Sequence, residues 1–226
     1  MGGGSEQRLV VDVEGVEVSA AWIDHPDAGQ VLVLGHGAGG TLDAPFLVGF
    51  ARAAAELGLA TLRFSFVYAE RGRRAPDRPP LLLAASRAAF ARAGALAGGR
   101  PLFAGGKSMG GRIASMAAAE GMPAAGLVFL GYPLHPPGKP DRLRDAHLDA
   151  VPAPMLFLQG TRDSFAQPAL LAGVLERLGS RAQLVSIEGG DHSFARAGAS
   201  RGGRLIGASL APAAAAFVER VVAGWG

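Results

Sequence analysis

Apolar and polar residues alternate over residues 8–14 and again over Val16–Ile23, with Gly15 between the two stretches. Period-two alternation marks a strand with one buried face, so these segments are predicted to form an edge hairpin. The pattern then changes. Gln30–Gly35 (QVLVLG) and Leu59–Phe64 are short, continuous apolar runs, as expected of strands covered on both faces. Between them, residues 44–57 carry apolar positions at helical spacing, and Gly58 ends the helix. The two signals keep alternating down the chain. Further strands are predicted at 101–105, 126–130, 155–159 and Ala182–Ile187, and helices at 81–97, 110–121, 167–178 and 205–223.

Four stretches follow neither period: a Gly-rich turn at 36–41, a polar, Arg-rich loop at 65–80, an excursion with Pro and His at 132–150, and a Gly-rich loop at 196–204 that is read as mobile. Strand–helix alternation without internal repeat or linker predicts one α/β domain over residues 1–226. Its sheet is expected to be mostly parallel and roughly eight-stranded, with helices on both faces, and residues 1–7 are expected to be flexible.

Composition narrows the classes. The chain has 226 residues, 49% of them hydrophobic, with 44 Ala, 34 Gly and only 15 aromatic residues. That suits a folded domain with a closely packed core of small side chains. The absence of Cys excludes disulfide scaffolds, thiolate zinc sites, iron–sulfur clusters and a Cys nucleophile. The apolar runs are read as too short for the roughly 18 residues that span a bilayer. The N-terminal residues lack the apolar core of a signal peptide, and Glu6 breaks the myristoylation pattern. A cytoplasmic protein is expected, without a membrane partner. The net charge is 22 − 19 = +3, and no basic run is interleaved with aromatic residues, so nucleic acid is not an expected partner either.

The strongest chemical signal is Gly106-Lys107-Ser108-Met109-Gly110, between a predicted strand and a predicted helix. G-x-S-x-G in that setting is a nucleophile elbow, in which a sharp turn pushes the serine hydroxyl into the open. The competing reading of Ser108 is a plain helix N-cap. A serine hydroxyl needs a base to take its proton, and the base needs an acid to orient it. His192 follows the last strand and Asp163 follows the strand before it, so Ser108, Asp163 and His192 occur in the chain order of such triads. Asp191 competes for the acid's role, but side chains adjacent in sequence rarely face each other. Oxyanion donors are expected from the backbone N–H of Met109 and of Ala38, with Gly37 and Gly39 as near alternatives.

His36 is expected to support that turn. Together with Tyr68, Arg71, Arg73, Lys107 and His135 it makes up the candidate substrate-binding set. Arg71, Arg73, Arg74 and Arg78 either hold an anionic substrate or pair with Glu70 and Asp77 as a solvated loop. Lys107 either sits beside the nucleophile or reaches outward. His25 and His147 are read as surface residues. No metal or organic cofactor is expected.

The segments GHGAGG (35–40), RFSFVYAERGRRAPDRPP (63–80), GGKSMGGRIAS (105–115), GYPLHPPGKP (131–140), LQGTRD (158–163) and GGDHSF (189–194) together resemble an α/β-hydrolase of the dienelactone-hydrolase-like type. The resemblance is closest to the group typified by the third subunit of the nonspecific lethal chromatin complex and its small bacterial relatives. It implies a triad of Ser108, Asp163 and His192. Dienelactone hydrolases proper use Cys where this chain has Ser108, which argues against a dienelactone substrate. Lids of this fold insert after the strand ending near Leu130, and the short 132–150 stretch implies no cap domain and a shallow site. The expected activity is cleavage of a small or medium acyl ester or thioester by a monomer or homodimer. The alternative is a non-catalytic binding or scaffold module that keeps the fold. The presence of all three triad members favours the enzyme.

Overall fold

The computed structural model describes residues 5–198 and 202–224. Eight strands form one sheet: β1 (Glu6–Val13), β2 (Val16–Ile23), β3 (Gln30–Gly35), β4 (Leu59–Phe64), β5 (Leu102–Lys107), β6 (Leu127–Leu130), β7 (Met155–Gly160) and β8 (Ala182–Ile187). Their order is β1-β2-β4-β3-β5-β6-β7-β8. The β1–β2 and β2–β4 pairs are antiparallel and the other five parallel. Among the described residues the α-helices are α1 (Pro45–Glu56), α2 (Val67–Glu70), α3 (Pro79–Ala97), α4 (Met109–Ala119), α5 (Pro168–Leu178) and α6 (Gly203–Val222).

The continuous apolar runs are explained by two cores. Val31 and Val33 of β3, Leu127 and Phe129 of β6, and Met155 and Phe157 of β7 face the core that α3, α4 and α5 cover. Their neighbours Leu32, Leu34, Val128, Leu130, Leu156 and Leu158 face the other core, under α1 and α6. Successive side chains point to opposite faces of a strand, so a strand buried on both faces must be apolar throughout. α1 and α6 cross backbone against backbone. A Cβ at Gly49 would stand 2.0 Å from the Arg204 carbonyl oxygen, and one at Gly207 would stand 2.0 Å from that of Phe46. Here, part of the small-residue excess has a packing cause.

Four expectations change. The ordered chain begins earlier than residue 8: Glu6 and Gln7 already pair with Ile23 and Trp22. The reason is Arg63 of β4, whose side chain has no solvent exposure and whose Nη2 donates to Glu6 Oε2 at 2.7 Å. Residues 1–4 lie outside the described residues. Second, the expected polar loop at 65–80 contains α2, because Phe66, Val67 and Tyr68 are buried, while Glu70 accepts hydrogen bonds from the Ser19 N–H and hydroxyl. Third, α3 starts at Pro79, a residue suited to the first helical turn. Fourth, α6 is long and apolar enough by length and composition to cross a membrane, with 20 residues and a mean hydropathy of 1.5. The expectation of short apolar runs missed it. One face of α6, including Leu210, Ala214, Phe217 and Val218, belongs to the core.

Between β6 and β7 the chain makes only a 3₁₀ turn at Ala146–Ala150, and no cap domain is inserted. Of the loop expected at 196–204, residues 199–201 lie outside the described residues, and Gly203 and Arg204 already belong to α6.

Candidate active site

In the sheet register Gly35 stands opposite both Phe64 and Gly106. The carboxyl ends of β3, β4 and β5 therefore finish side by side, and the loops that follow them meet. At that edge Ser108 takes φ 50° and ψ −113°, strained for a residue with a side chain. The turn is pressed against the end of β3. A Cβ at Gly106 would lie 2.1 Å from the Gly35 carbonyl oxygen, and one at Gly110 2.2 Å from the same atom. Only glycine permits this approach, and it fixes where the serine projects.

Ser108 Oγ lies 2.8 Å from His192 Nε2, and His192 Nδ1 lies 2.7 Å from Asp163 Oδ2. A carboxylate only accepts, so the neutral ring carries its proton on Nδ1 and Nε2 is left to accept from the serine hydroxyl. The Asp163 side chain has no solvent exposure. Its Oδ2 also accepts from Gln159 Nε2 at 2.5 Å and its Oδ1 from the Phe165 N–H at 2.8 Å. Gln159 Oε1 in turn accepts from the Tyr132 N–H at 2.8 Å. The Phe165 ring stacks on the imidazole, with centroids 4.1 Å apart. Asp191 points elsewhere: its Oδ1 accepts from the Ser193 and Ala195 N–H groups and shapes the turn that carries the histidine. Gln159 and Phe165 were not singled out in the sequence, where neither residue type signals chemistry.

The turn after β3 lies against Ser108, since a Cβ at Gly37 would be 3.7 Å from Ser108 Cβ. His36 and Tyr68 hold it from behind and are almost wholly buried. His36 Nδ1 donates to the Gly37 carbonyl at 2.8 Å, and Nε2 accepts from the Phe66 N–H at 3.1 Å. Burial pulls the His36 pKa below its ordinary value, which keeps the ring neutral in this role. Tyr68 Oη accepts from the Gly39 N–H at 3.3 Å and lies 3.4 Å from the Gly37 carbonyl oxygen. Gly39's amide is thus occupied, whereas the N–H groups of Gly37, Ala38 and Met109 have no acceptor among the described residues. His36 and Tyr68 brace the turn.

Other predicted residues separate in the same way. Lys107 does not reach outward: its Nζ donates to the His192 carbonyl at 2.6 Å. His135 is buried with both ring nitrogens engaged, by the Pro136 carbonyl and the Gln167 N–H, so it ties the 131–150 loop to the start of α5. Arg73 pairs with Asp77 at 2.5 Å, while Arg71, Arg74 and Arg78 are exposed. Glu70, the other expected partner of that loop, is taken by Ser19. His25 lies in a surface turn, where its Nδ1 accepts from the Asp27 N–H. His147 is the clear departure from expectation. Its Nε2 is 2.8 Å from Ser115 Oγ, and burial together with the Arg112 cation lowers its pKa to about 4.

An open groove of about 690 Å³ lies at the opposite ends of the parallel strands, beside Trp22, His25 and Arg100. The Arg100 guanidinium is already held there by Asp24 at 2.7 and 3.0 Å. Among the described residues, no group of three or more His, Cys, Asp or Glu side chains is placed to hold a metal ion.

Against known proteins, the sequence pattern of the alpha/beta hydrolase domain matches residues 28–221. Solved structures are similar over nearly the whole chain. A dienelactone hydrolase from Anabaena variabilis is 22% identical, with 97% of this chain and 99% of that one covered and a TM-score of 0.77. Est1E from Butyrivibrio proteoclasticus, solved with ferulic acid bound, is 18% identical over 95% and 99%, with a TM-score of 0.74. A serine hydrolase without a lid from Xanthomonas campestris is 20% identical over 97% and 94%, with a TM-score of 0.69. At these identities the structures speak for the fold alone.

Proposed function

The chain belongs to the alpha/beta hydrolase domain family, and on that footing we propose that it is a serine hydrolase acting through an acyl-enzyme on a small or medium acyl ester or thioester. The observation that carries this reading is the unbroken chain of hydrogen bonds from Ser108 Oγ through His192 to the buried Asp163. Ser108 attacks the acyl carbonyl while His192 Nε2 takes its proton. Asp163 holds the proton-bearing Nδ1 and stabilises the imidazolium that forms. The Ala38 and Met109 amides receive the oxyanion. His192 then protonates the leaving group, and water releases the acyl group by the same steps in reverse.

The lack of a cap domain between β6 and β7 supports an open site and a substrate of modest size. The motifs at 63–80, 105–115 and 131–140 support the finer placement near the nonspecific lethal complex group. No cofactor enters the mechanism. A small-molecule substrate, a cytoplasmic setting and a monomer or homodimer complete the proposal.

The test is labelling with a fluorophosphonate serine probe. Wild type should label, and Ser108→Ala and His192→Ala should not. For any ester turned over, Ser108→Ala should lower kcat by roughly 10⁴–10⁶. A folded wild type that fails to label would point instead to the binding-module reading.

A further inference from the structure

Lys107, the residue before the nucleophile, is the point where the loops of the site converge. Its stem crosses the oxyanion turn, where a Cβ at Gly37 would meet Lys107 Cγ at 3.6 Å. Its Nζ reaches the β6 loop, where a Cβ at Gly131 would lie 3.1 Å away. The same Nζ donates to the His192 carbonyl at 2.6 Å. It also stands 5.4 Å from the centre of the Phe194 ring and 5.9 Å from that of Phe46, two rings that stack on each other. Phe194 is held at φ 62° two residues after His192. One side chain of the elbow strand therefore fastens the main chain that carries the base.

Lys107 is partly buried, and a cation drawn even partly out of water is costly unless it is paired. Lys107 makes no ion pair within contact distance among the described residues, and its enclosure includes two aromatic rings. A methionine would fill the same space without that cost. A cation at this place calls for a reason beyond packing. We propose that Lys107 is a positioning residue whose ammonium clamps the His192 backbone, so that Nε2 stays aligned on Ser108 Oγ. The inference rests on the serine-hydrolase reading above.

The clamp has a definite charge requirement. Burial lowers the Lys107 pKa from its ordinary 10.5 to about 8, and the Asp163 and Asp191 carboxylates act against that fall. His192 follows β8 and His36 follows β3, and both are titratable neighbours in sequence of the contact points, while Gly131 and Phe46, which stand nearest Nζ on the β6 loop and α1, carry no charge. Above pH 8 the neutral amine keeps a hydrogen bond but loses its attraction to both carboxylates. Charge-assisted bonds are about twice as strong as neutral ones, so the clamp loosens.

The experiment measures the fluorophosphonate labelling rate of the intact protein from pH 6.5 to 9.5, for wild type, Lys107→Met and Lys107→Arg, with thermal unfolding recorded alongside. In wild type the rate should decline through an alkaline limb near pH 8. At pH 7, Lys107→Met should label about 30-fold more slowly, in the range expected of a small misplacement of the base. It should lack the alkaline limb and unfold no earlier than wild type. Lys107→Arg should recover part of the rate and keep it to higher pH. For an ester that is turned over, kcat should fall with KM little changed. Overturning results would be a Lys107→Met variant that keeps the wild-type rate, or one that is slow yet keeps the limb. A wild type without the limb would also overturn the proposal, whether or not the variants fold. A folded wild type that never labels would instead remove the hydrolase reading beneath it.

Discussion

Replacing Asp163 by Asn tests whether the network behind His192 selects its tautomer. The asparagine amide has two orientations. If its oxygen stays where Oδ2 is, it accepts from both His192 Nδ1 and Gln159 Nε2, and its NH₂ then faces the Phe165 N–H. If the amide turns over, its oxygen satisfies Phe165, but its NH₂ faces Gln159 and forces the histidine proton onto Nε2. Each orientation leaves one donor facing another. The conflicts differ in burial: the Phe165 contact is partly buried, whereas the Gln159 and Tyr132 contacts are fully buried. An unsatisfied buried donor costs about 1–3 kcal/mol, and less where water reaches it. The first orientation wins, and the correct tautomer survives.

What Asp163→Asn then loses is the carboxylate's charge against the imidazolium. That is about 3 kcal/mol in the transition state, or roughly 10²-fold in rate. Loss of the tautomer costs about 10⁴-fold in serine proteases. The measurement is the labelling rate, or kcat on a p-nitrophenyl ester, for Asp163→Asn, Gln159→Met and the double variant. Gln159→Met alone removes no group that touches His192 and should cost less than about 10-fold. In the double variant nothing opposes the turned-over amide, so the rate should drop to the 10⁴-fold level, far beyond the product of the single effects. If Asp163→Asn alone already fell 10⁴-fold and Gln159→Met added nothing, the tautomer argument would be refuted.

Two further predictions concern stability. Glu6→Gln should destabilise the fold by about 2–4 kcal/mol in urea unfolding, because it leaves the fully buried Arg63 with only Asp43, 3.6 Å away, as a charged partner. Combining it with Arg63→Met should recover most of the loss, and a Glu6→Gln midpoint equal to wild type would count against the pair. His147, with its pKa depressed to about 4, contributes stability that is complete above its ordinary 6.5 and lost as pH falls through 4. The full shift corresponds to about 3 kcal/mol, reduced to roughly 1–2 by solvent access to a half-buried ring. His147→Gln should therefore lose less stability than wild type between pH 7 and pH 4, and parallel losses in the two proteins would reject the assignment.

The parts of the molecule that could be read from the sequence share one property: their cause is local. QVLVLG is a strand because its own residues must face two cores. Ser108 stands out because a sharp turn between strand and helix needs small residues within two positions of it. The His192 turn is marked by Gly189, Gly190 and Asp191, which shape the backbone that holds it. What escaped is set by neighbours distant in sequence. The sequence pattern ends β5 at Gly105. It continues to Lys107 because its neighbours pair with it that far, Gly35 with Gly106 and Leu130 with Lys107, and only a glycine at 106 admits the Gly35 carbonyl so closely. Glu6 falls in the stretch expected to be flexible, and the partner that fixes it, Arg63, lies 57 positions away. His147 was placed on the surface, although Ser115 and Arg112 of α4 enclose it.

The same reasoning explains why the bracing residues were harder to place than the candidate triad. A nucleophile, a base and an acid are restricted to a few residue types, in an order that the strand topology imposes. A brace needs only a hydrogen-bonding group of the right length. Gln159 holds Asp163, Tyr68 holds the Gly37 turn and Lys107 holds the His192 carbonyl. Nothing in a glutamine, a tyrosine or a lysine announces such a task before the loops are brought together. The alignment of Ser108 on His192 therefore depends on side chains whose contribution belongs to the assembled edge of the sheet. Substitutions among them should change rates more than they change the motifs by which the site is recognised.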